Sequence, residues 1–342
     1  MQPGPIAWGA ALAALLHLPV MAQTQGTLEK VKASGALVLG VREASAPLSY
    51  MLGSSQYVGY HVELCERIAR SLFPQAQLRY QAVTSQNRMP LVQNGTVDLE
   101  CGSTSNTASR KEQVDFANTT YITEARYAVK KSSGIESTEQ LAGRTVVTTT
   151  GTTLVPRLRK LERDGLKFTL ILAKDHAESM LMVAQGRADA FAMDDNTLAG
   201  NIALLKNPQD FRIVGTPLGR EPIALMLRRN DAAFRQAVDA EISRLIESGE
   251  LRAMYDKWFH GPHPAGQRQP QPAVPPIAGG GLCAAQCRSG GSLCGAVGGE
   301  FDDGYLGENG CSPGFYWAYS YLFDSAAARH GLSPGNTGDD TL

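Results

Sequence analysis

The strongest constraint on this chain is a repeated exchange of two hydrophobic patterns. Between Leu28 and Phe259, short apolar runs trade places with segments whose apolar residues recur at helical spacing. Residues 36–42 (ALVLGVR), 78–83 and 97–101 read as strands. A short amphipathic helix, 28–34, precedes the first and is closed by Gly35. Residues 59–72, with Val62, Leu64, Ile68, Ala69 and Leu72 on one stripe, and 88–94 read as the helices between. Runs that are apolar without alternation belong to strands covered on both faces, as in parallel sheets flanked by helices. A second unit repeats the pattern, with strands at 145–149, 168–172 and 188–193. Helices follow at 151–163, 177–185 and 196–205. A strand at 223–227 and helices at 231–248 and 251–259 complete the body. The pattern predicts an α/β architecture, and 342 residues suffice for two domains.

Both ends differ from this body. Residues 6–21 are mostly Ala, Leu and Val, too short a run to span a bilayer comfortably. Val20-Met21-Ala22 precedes a plausible cut at Gln23, so residues 1–22 are expected to be a signal peptide and the mature body to be exported. Residues 263–281 are rich in Pro, Gln and Gly, and 263–342 are expected to form an atypical, disordered tail. Either a frameshifted or recombined end, or a genuine extension with disulfides among Cys283, Cys287, Cys294 and Cys311, accounts for it; the irregular spacing does not suit zinc. Spacing leaves open whether Cys65 and Cys101 pair. A net charge of −1 with no basic stripe argues against nucleic acid as a partner.

In open parallel sheets, ligands sit outside the carboxyl ends of strands. Polar groups collect at such places here. Arg42 follows the first strand, Ser85 and Arg88 the second, and Ser103 and Ser105 the third. Thr152 sits where a strand meets a helix, His176 lies beyond another such junction, and Asp194 ends a strand. Each has a duller reading. Ser85 and Thr152 suit helix caps, and an isolated Arg or His is commonly a solvated surface group. Taken together they fit a zwitterion with an extra carboxylate, because guanidinium forks and helix N-termini favour carboxylates and an ammonium needs a carboxylate such as Asp194.

The order of these groups resembles a known family. Gly40-Val-Arg-Glu43, Thr84-Ser-Gln-Asn-Arg88, Asp98-Leu-Glu-Cys-Gly-Ser-Thr104, Thr150-Gly-Thr-Thr153, Ala173-Lys-Asp-His176 and Met193-Asp-Asp195 look like the glutamate/aspartate-binding proteins of bacterial ABC importers. Arg110, followed by Asp115-Phe116, matches the arginine of the wider amino-acid-binding family. The resemblance covers residues 28–262. It implies a two-lobed periplasmic binding protein type II fold with crossover strands near 121–128 and 221–226. Lobe 1 would be 28–124 plus 223–259, and lobe 2 would be 125–222.

The resemblance also implies roles. Arg110 would hold the ligand α-carboxylate, helped by Thr152, Ser103 and Ser105. Asp194 would take the α-ammonium, and Arg42, Ser85, Arg88 and His176 would surround the side-chain carboxylate. The ligand would be L-glutamate or L-aspartate, handed by a monomer to an ABC importer permease in the inner membrane. No catalytic residue, metal or cofactor is implied. Two other functions share the architecture. A receptor's sensing domain would need a membrane helix after the second lobe. A cleft enzyme would need an acid or base free of ligand duty, whereas His176 and Asp194 are both accounted for by binding. Glutamate and aspartate differ by one methylene, worth about 1–3 kcal/mol in a fitted pocket, and the sequence does not decide between them.

Overall fold

The computed structural model describes residues 25–261; residues 1–22, expected to be a signal peptide, and 263–342, expected to be a tail, lie outside the described residues. In chain order the elements begin with α1 (Thr27–Ser34), β1 (Ala36–Val41), β2 (Ala44–Ser45), β3 (Ser49–Leu52), β4 (Gln56–Val58), α2 (Tyr60–Leu72), β5 (Gln77–Ala82), α3 (Arg88–Gln93), β6 (Leu99–Glu100) and α4 (Ala108–Lys111). The chain continues through β7 (Asp115–Lys130), β8 (Thr145–Thr149), α5 (Leu154–Arg163), β9 (Thr169–Ala173), α6 (His176–Ala184), β10 (Ala190–Asp194) and α7 (Asp195–Ala203). It closes with β11 (Phe211–Val214), β12 (Arg220–Leu227), α8 (Ala232–Glu247) and α9 (Glu250–Phe259).

Hydrophobic burial organises these elements into two lobes. In the first, β1 lies between β5 and β6, parallel to both. Leu37, Leu39 and Val41 of β1 pack with Leu64, Cys65 and Ile68 of α2 and with Phe234, Val238 and Trp258 of the last two helices. In the second, β8 lies between β9 and β10, again parallel. Val146, Val147 and Phe191 pack there with Leu154 and Leu158 of α5 and with Met180 and Val183 of α6. Of the strands predicted as apolar runs, β1, β8 and β10 are buried on both faces as inner strands of these stacks, whereas the edge strands β5 and β9 are largely exposed and 223–227 pairs antiparallel.

One strand joins the stacks. β7 has 16 residues, about 53 Å at 3.3 Å per residue. Its first half pairs antiparallel with β12, as far as the Glu124–Arg220 pair. Its second half pairs antiparallel with β10 and β11. The result is a nine-stranded path, β5-β1-β6-β12-β7-β10-β8-β9 with β11 beside β7. The crossing strands were expected near 121–128 and 221–226; they run longer because each must pair on its way between lobes. They also make the sheet mixed, where a parallel one was expected. The small β2-β3-β4 sheet and β11 were not foreseen. Cys65 on α2 and Cys101 just after β6 form a disulfide, with Cα atoms 6.2 Å apart.

Candidate functional site

The carboxyl ends of the parallel strands from both lobes point at one another. Arg42 follows β1, and its backbone N–H donates to Ser49 Oγ at 2.9 Å, which ties it to β3. Arg88 opens α3, and its Nη1 donates to the Ser103 carbonyl beyond β6 at 3.3 Å. From the second lobe, Thr152 follows β8, His176 opens α6 beyond β9, and Asp194 is the last residue of β10. All of these are buried.

Contacts between the lobes are direct. Arg42 Nη2 donates to His176 Nε2 at 3.4 Å. The histidine's other nitrogen, Nδ1, lies 2.8 Å from Thr149 Oγ1, which in turn lies 3.1 Å from Ser179 Oγ. Ser179 Oγ donates to the Asp175 carbonyl at 2.9 Å. This chain carries one proton per link only if Nδ1 bears the hydrogen and Nε2 is bare. Burial, then the charges of Arg42 and Arg88, hold the imidazole well below the usual histidine range. His176 is therefore neutral. It supplies an acceptor that aims Arg42.

Arg110 also bridges the lobes. Its Nη1 donates to the Ser105 carbonyl at 2.9 Å and its Nη2 to the Gly151 carbonyl at 3.2 Å. Gly151 has a φ of +81°, and a Cβ there would lie 2.6 Å from the Ser85 carbonyl. Only glycine allows both that backbone and that approach. Further along the cleft, Asn201 Nδ2 donates to the Ala44 carbonyl at 3.1 Å, and a Cβ on Gly200 would collide with the Ala46 carbonyl. The lobes are closed on each other.

The capping readings do not describe this arrangement. Neither α3 nor α5 has a side-chain cap hydrogen bond. Ser85 Oγ is buried without a hydrogen-bond partner. Thr152 Oγ1 turns back to the Thr149 carbonyl at 2.7 Å. Ser103 Oγ donates to Ser45 Oγ at 3.2 Å, and Ser105 enters through its carbonyl.

Buried polar groups normally find partners. Arg42 Nη1, Arg88 Nε and Asp194 Oδ1, like Ser85 Oγ, have none. Three of these four atoms can donate to a carboxylate, and the fourth can accept from an ammonium. Burial pulls the Arg88 guanidinium down, and the like charges of Arg110 and Arg42 add to it, against Glu100 and Asp194. Burial, then Glu221 and Asp195, pushes the Asp194 carboxyl well up, opposed by Arg88 and Arg110. Both shifts have the sign expected of charged groups awaiting opposite charge.

Sequence reasoning missed Glu100, Thr149, Asn201 and Gly200. Glu100 stood inside a quoted motif; the others act through orientation or fit, which local sequence does not encode. Among the described residues there is no group of His, Cys, Asp and Glu that could hold a metal ion, and no helix is long and apolar enough to cross a membrane.

Known proteins share this construction. The chain is 44% identical over 264 residues to the L-glutamate/L-aspartate-binding protein of Pseudomonas aeruginosa, covering 75% of this chain and 87% of that one. It is 39% identical over 244 residues to the glutamate/aspartate import solute-binding protein of Escherichia coli K12, covering 70% and 81%. A crystal structure of a mutant of ArgBP from T. maritima superposes with a TM-score of 0.62 at 25% identity, over 68% of this chain and 99% of that one. The model of the bacterial extracellular solute-binding proteins, family 3, matches residues 37–261, and with the two-lobed fold and the closed cleft already described, the chain belongs to that family.

Proposed function

We propose that this protein captures L-glutamate or L-aspartate in the cleft between its lobes and delivers it to an ABC importer. The observation that carries the reading is the set of unpartnered buried atoms: Arg42 Nη1, Arg88 Nε and Ser85 Oγ on one side, Asp194 Oδ1 on the other. The ligand's side-chain carboxylate sits against the first three. Its ammonium sits against Asp194, and Arg110 holds the α-carboxylate beside Ser103, Ser105 and Thr152. Charge-assisted hydrogen bonds of this kind are the strong ones. The names of the two relatives point to the same ligands.

The rest of the reading follows the family. Residues 1–22 direct export, and the mature protein works in the periplasm as a monomer that docks on an inner-membrane permease. The Cys65–Cys101 disulfide suits that oxidising compartment. Lobe 1 is 28–124 with 223–259, and lobe 2 is 125–222, which follows the division of the two cores. The protein turns over no substrate, because Arg42, Arg88, Arg110 and Asp194 are engaged in holding charge and His176 in orienting Arg42. Titration calorimetry with L-glutamate, L-aspartate, L-glutamine and L-asparagine tests the reading. Tight binding of an acidic ligand, recovered chemically unchanged, is expected. Equal affinity for acids and amides, or conversion of the ligand, refutes it.

A further inference from the structure

β6 ends on Glu100, a fully buried carboxylate. Its Oε2 accepts from Thr104 Oγ1 at 2.7 Å, and its Oε1 has no hydrogen-bond partner. A buried carboxylate with a bare oxygen is costly unless cations stand near it. Gly102 places one there. A Cβ at Gly102 would collide with Glu100 Oε1 and lie 2.9 Å from Arg42 Cγ, so the two side chains flank the same stretch of backbone. Glu100 is the largest of the charges that support the Arg42 guanidinium against burial, and the largest that supports Arg88.

We propose that Glu100 is a specificity-determining residue: it is the protein's own counter-charge to Arg42 and Arg88, and it sets the side-chain end of the cleft to accept one carboxylate. The inference rests on the reading of the cleft as an acidic-amino-acid site. At that end Ser85 is uncharged and His176 is neutral, and Glu100 acts on both guanidiniums more strongly than Asp175 and Glu43 act on Arg42 or Asp194 acts on Arg88. With Asp194 given to the ligand ammonium, two guanidiniums share one strong counter-charge, which leaves positive charge in surplus. A ligand carboxylate cancels it, whereas an amide leaves it buried and unpaired. Glu100 thus also repels the ligand carboxylate that the arginines attract, which keeps binding reversible enough for delivery.

The test uses the full chain and calorimetry, with whichever of L-glutamate and L-aspartate the wild type binds more tightly and with the matching amide. Glu100→Gln is expected to raise the preference for acid over amide by about tenfold or more, because the lost repulsion acts on the carboxylate and not on the amide. Thr104→Val removes the hydrogen bond but keeps the charge, and should leave that preference within about threefold. A packing role for Glu100 would weaken both ligands together. An unchanged or reduced preference in Glu100→Gln, or an equal shift in Thr104→Val, overturns the proposal. Should Glu100→Gln not melt cooperatively alone, the acidic ligand restores a cooperative transition and the amide does not. Rescue by both, or by neither, also overturns it. A wild type that binds no acidic amino acid refutes the cleft reading itself, which the wild-type titration alone reveals.

Discussion

Arg88→Ala puts the cleft reading at greatest risk. Arg88 is buried, its one hydrogen bond, to the Ser103 carbonyl, is long at 3.3 Å, and its Nε has no partner. In the ligand-free fold the support that Arg88 exchanges with Glu100 is offset by the like charges of Arg110 and Arg42, so its net contribution stays small until a ligand carboxylate arrives. Its field also includes like charges, since Arg110 and Arg42 both oppose its ionisation, so truncation relieves repulsion in the ligand-free state. A carboxylate about 4 Å from a guanidinium at an effective dielectric of 20 gains about 4 kcal/mol. Breaking such a buried pair typically costs about 2–5 kcal/mol. Affinity for the acidic ligand should fall by about thirtyfold to several thousandfold, at about 1.4 kcal/mol per factor of ten. The matching amide, which loses only a hydrogen bond, should lose less, by about 1.5–3 kcal/mol. Calorimetry on wild type and variant measures both, and a thermal melt of the ligand-free proteins should show near-equal stability. A loss below about threefold for the acidic ligand, or equal losses for acid and amide, refutes the argument.

Three further outcomes follow from separate parts of the molecule. Joint replacement of Cys65 and Cys101 by Ser opens a loop with sequence separation 36 and should cost about 4 kcal/mol on the loop-entropy account; an unchanged midpoint in denaturant contradicts it. Gly200→Val places a side chain against the Ala46 carbonyl across the cleft, so ligand affinity should fall at least about tenfold while the melt moves little, given the cost of forcing a buried overlap. Small-angle scattering should then show no compaction with ligand, and wild-type compaction would sink the idea. His61 is buried and held neutral, its pKa lowered to about 4 by burial against the opposing hydrogen bond to Gly102. The unfolded chain binds that proton near pH 6.5, so between pH 6.5 and about 4 the wild type should lose about 1.4 kcal/mol per pH unit relative to His61→Gln. Parallel stability–pH curves for the two proteins would refute the assignment.

How much of this was legible depended on how local the cause was. β1 and β8 were readable because a strand covered on both faces must be apolar throughout. β7 was not, because its Asn118, Thr119, Thr120, Thr123, Glu124 and Arg126 face changing surroundings as the strand passes from one lobe to the other, which erases any simple period. β2, with two residues, and β4, with three, are too short to carry a period at all. That Arg42, Ser85, Arg88 and Asp194 lie near strand ends was readable from the pattern of strands; whether they meet a ligand is what the Arg88→Ala titration tests. The protonation of His176 was not readable, since it depends on Thr149 and Ser179 from one lobe and Arg42 from the other. Glu100 was visible as a letter in a motif, but its meaning as a charge needed the burial that only the fold supplies.

The Arg42–His176 contact links selectivity to closure. Arg42 belongs to the first lobe and His176 to the second, and they meet only when the lobes are together. A neutral imidazole can accept from Arg42, while a protonated one would oppose it, so the hydrogen-bond relay through Thr149, Ser179 and Asp175 holds the second lobe in the form that tolerates the first. Closing without a ligand would leave Arg42 Nη1 and Arg88 Nε buried and bare, at a cost of about 1–3 kcal/mol for each unmet donor, more when it is charged. A side-chain carboxylate removes that cost, whereas an amide removes only part of it. On the proposed function, the same atoms that would distinguish the ligands also set how stable the closed form is, so a ligand of the wrong charge would be rejected as incomplete closure more than as a steric misfit.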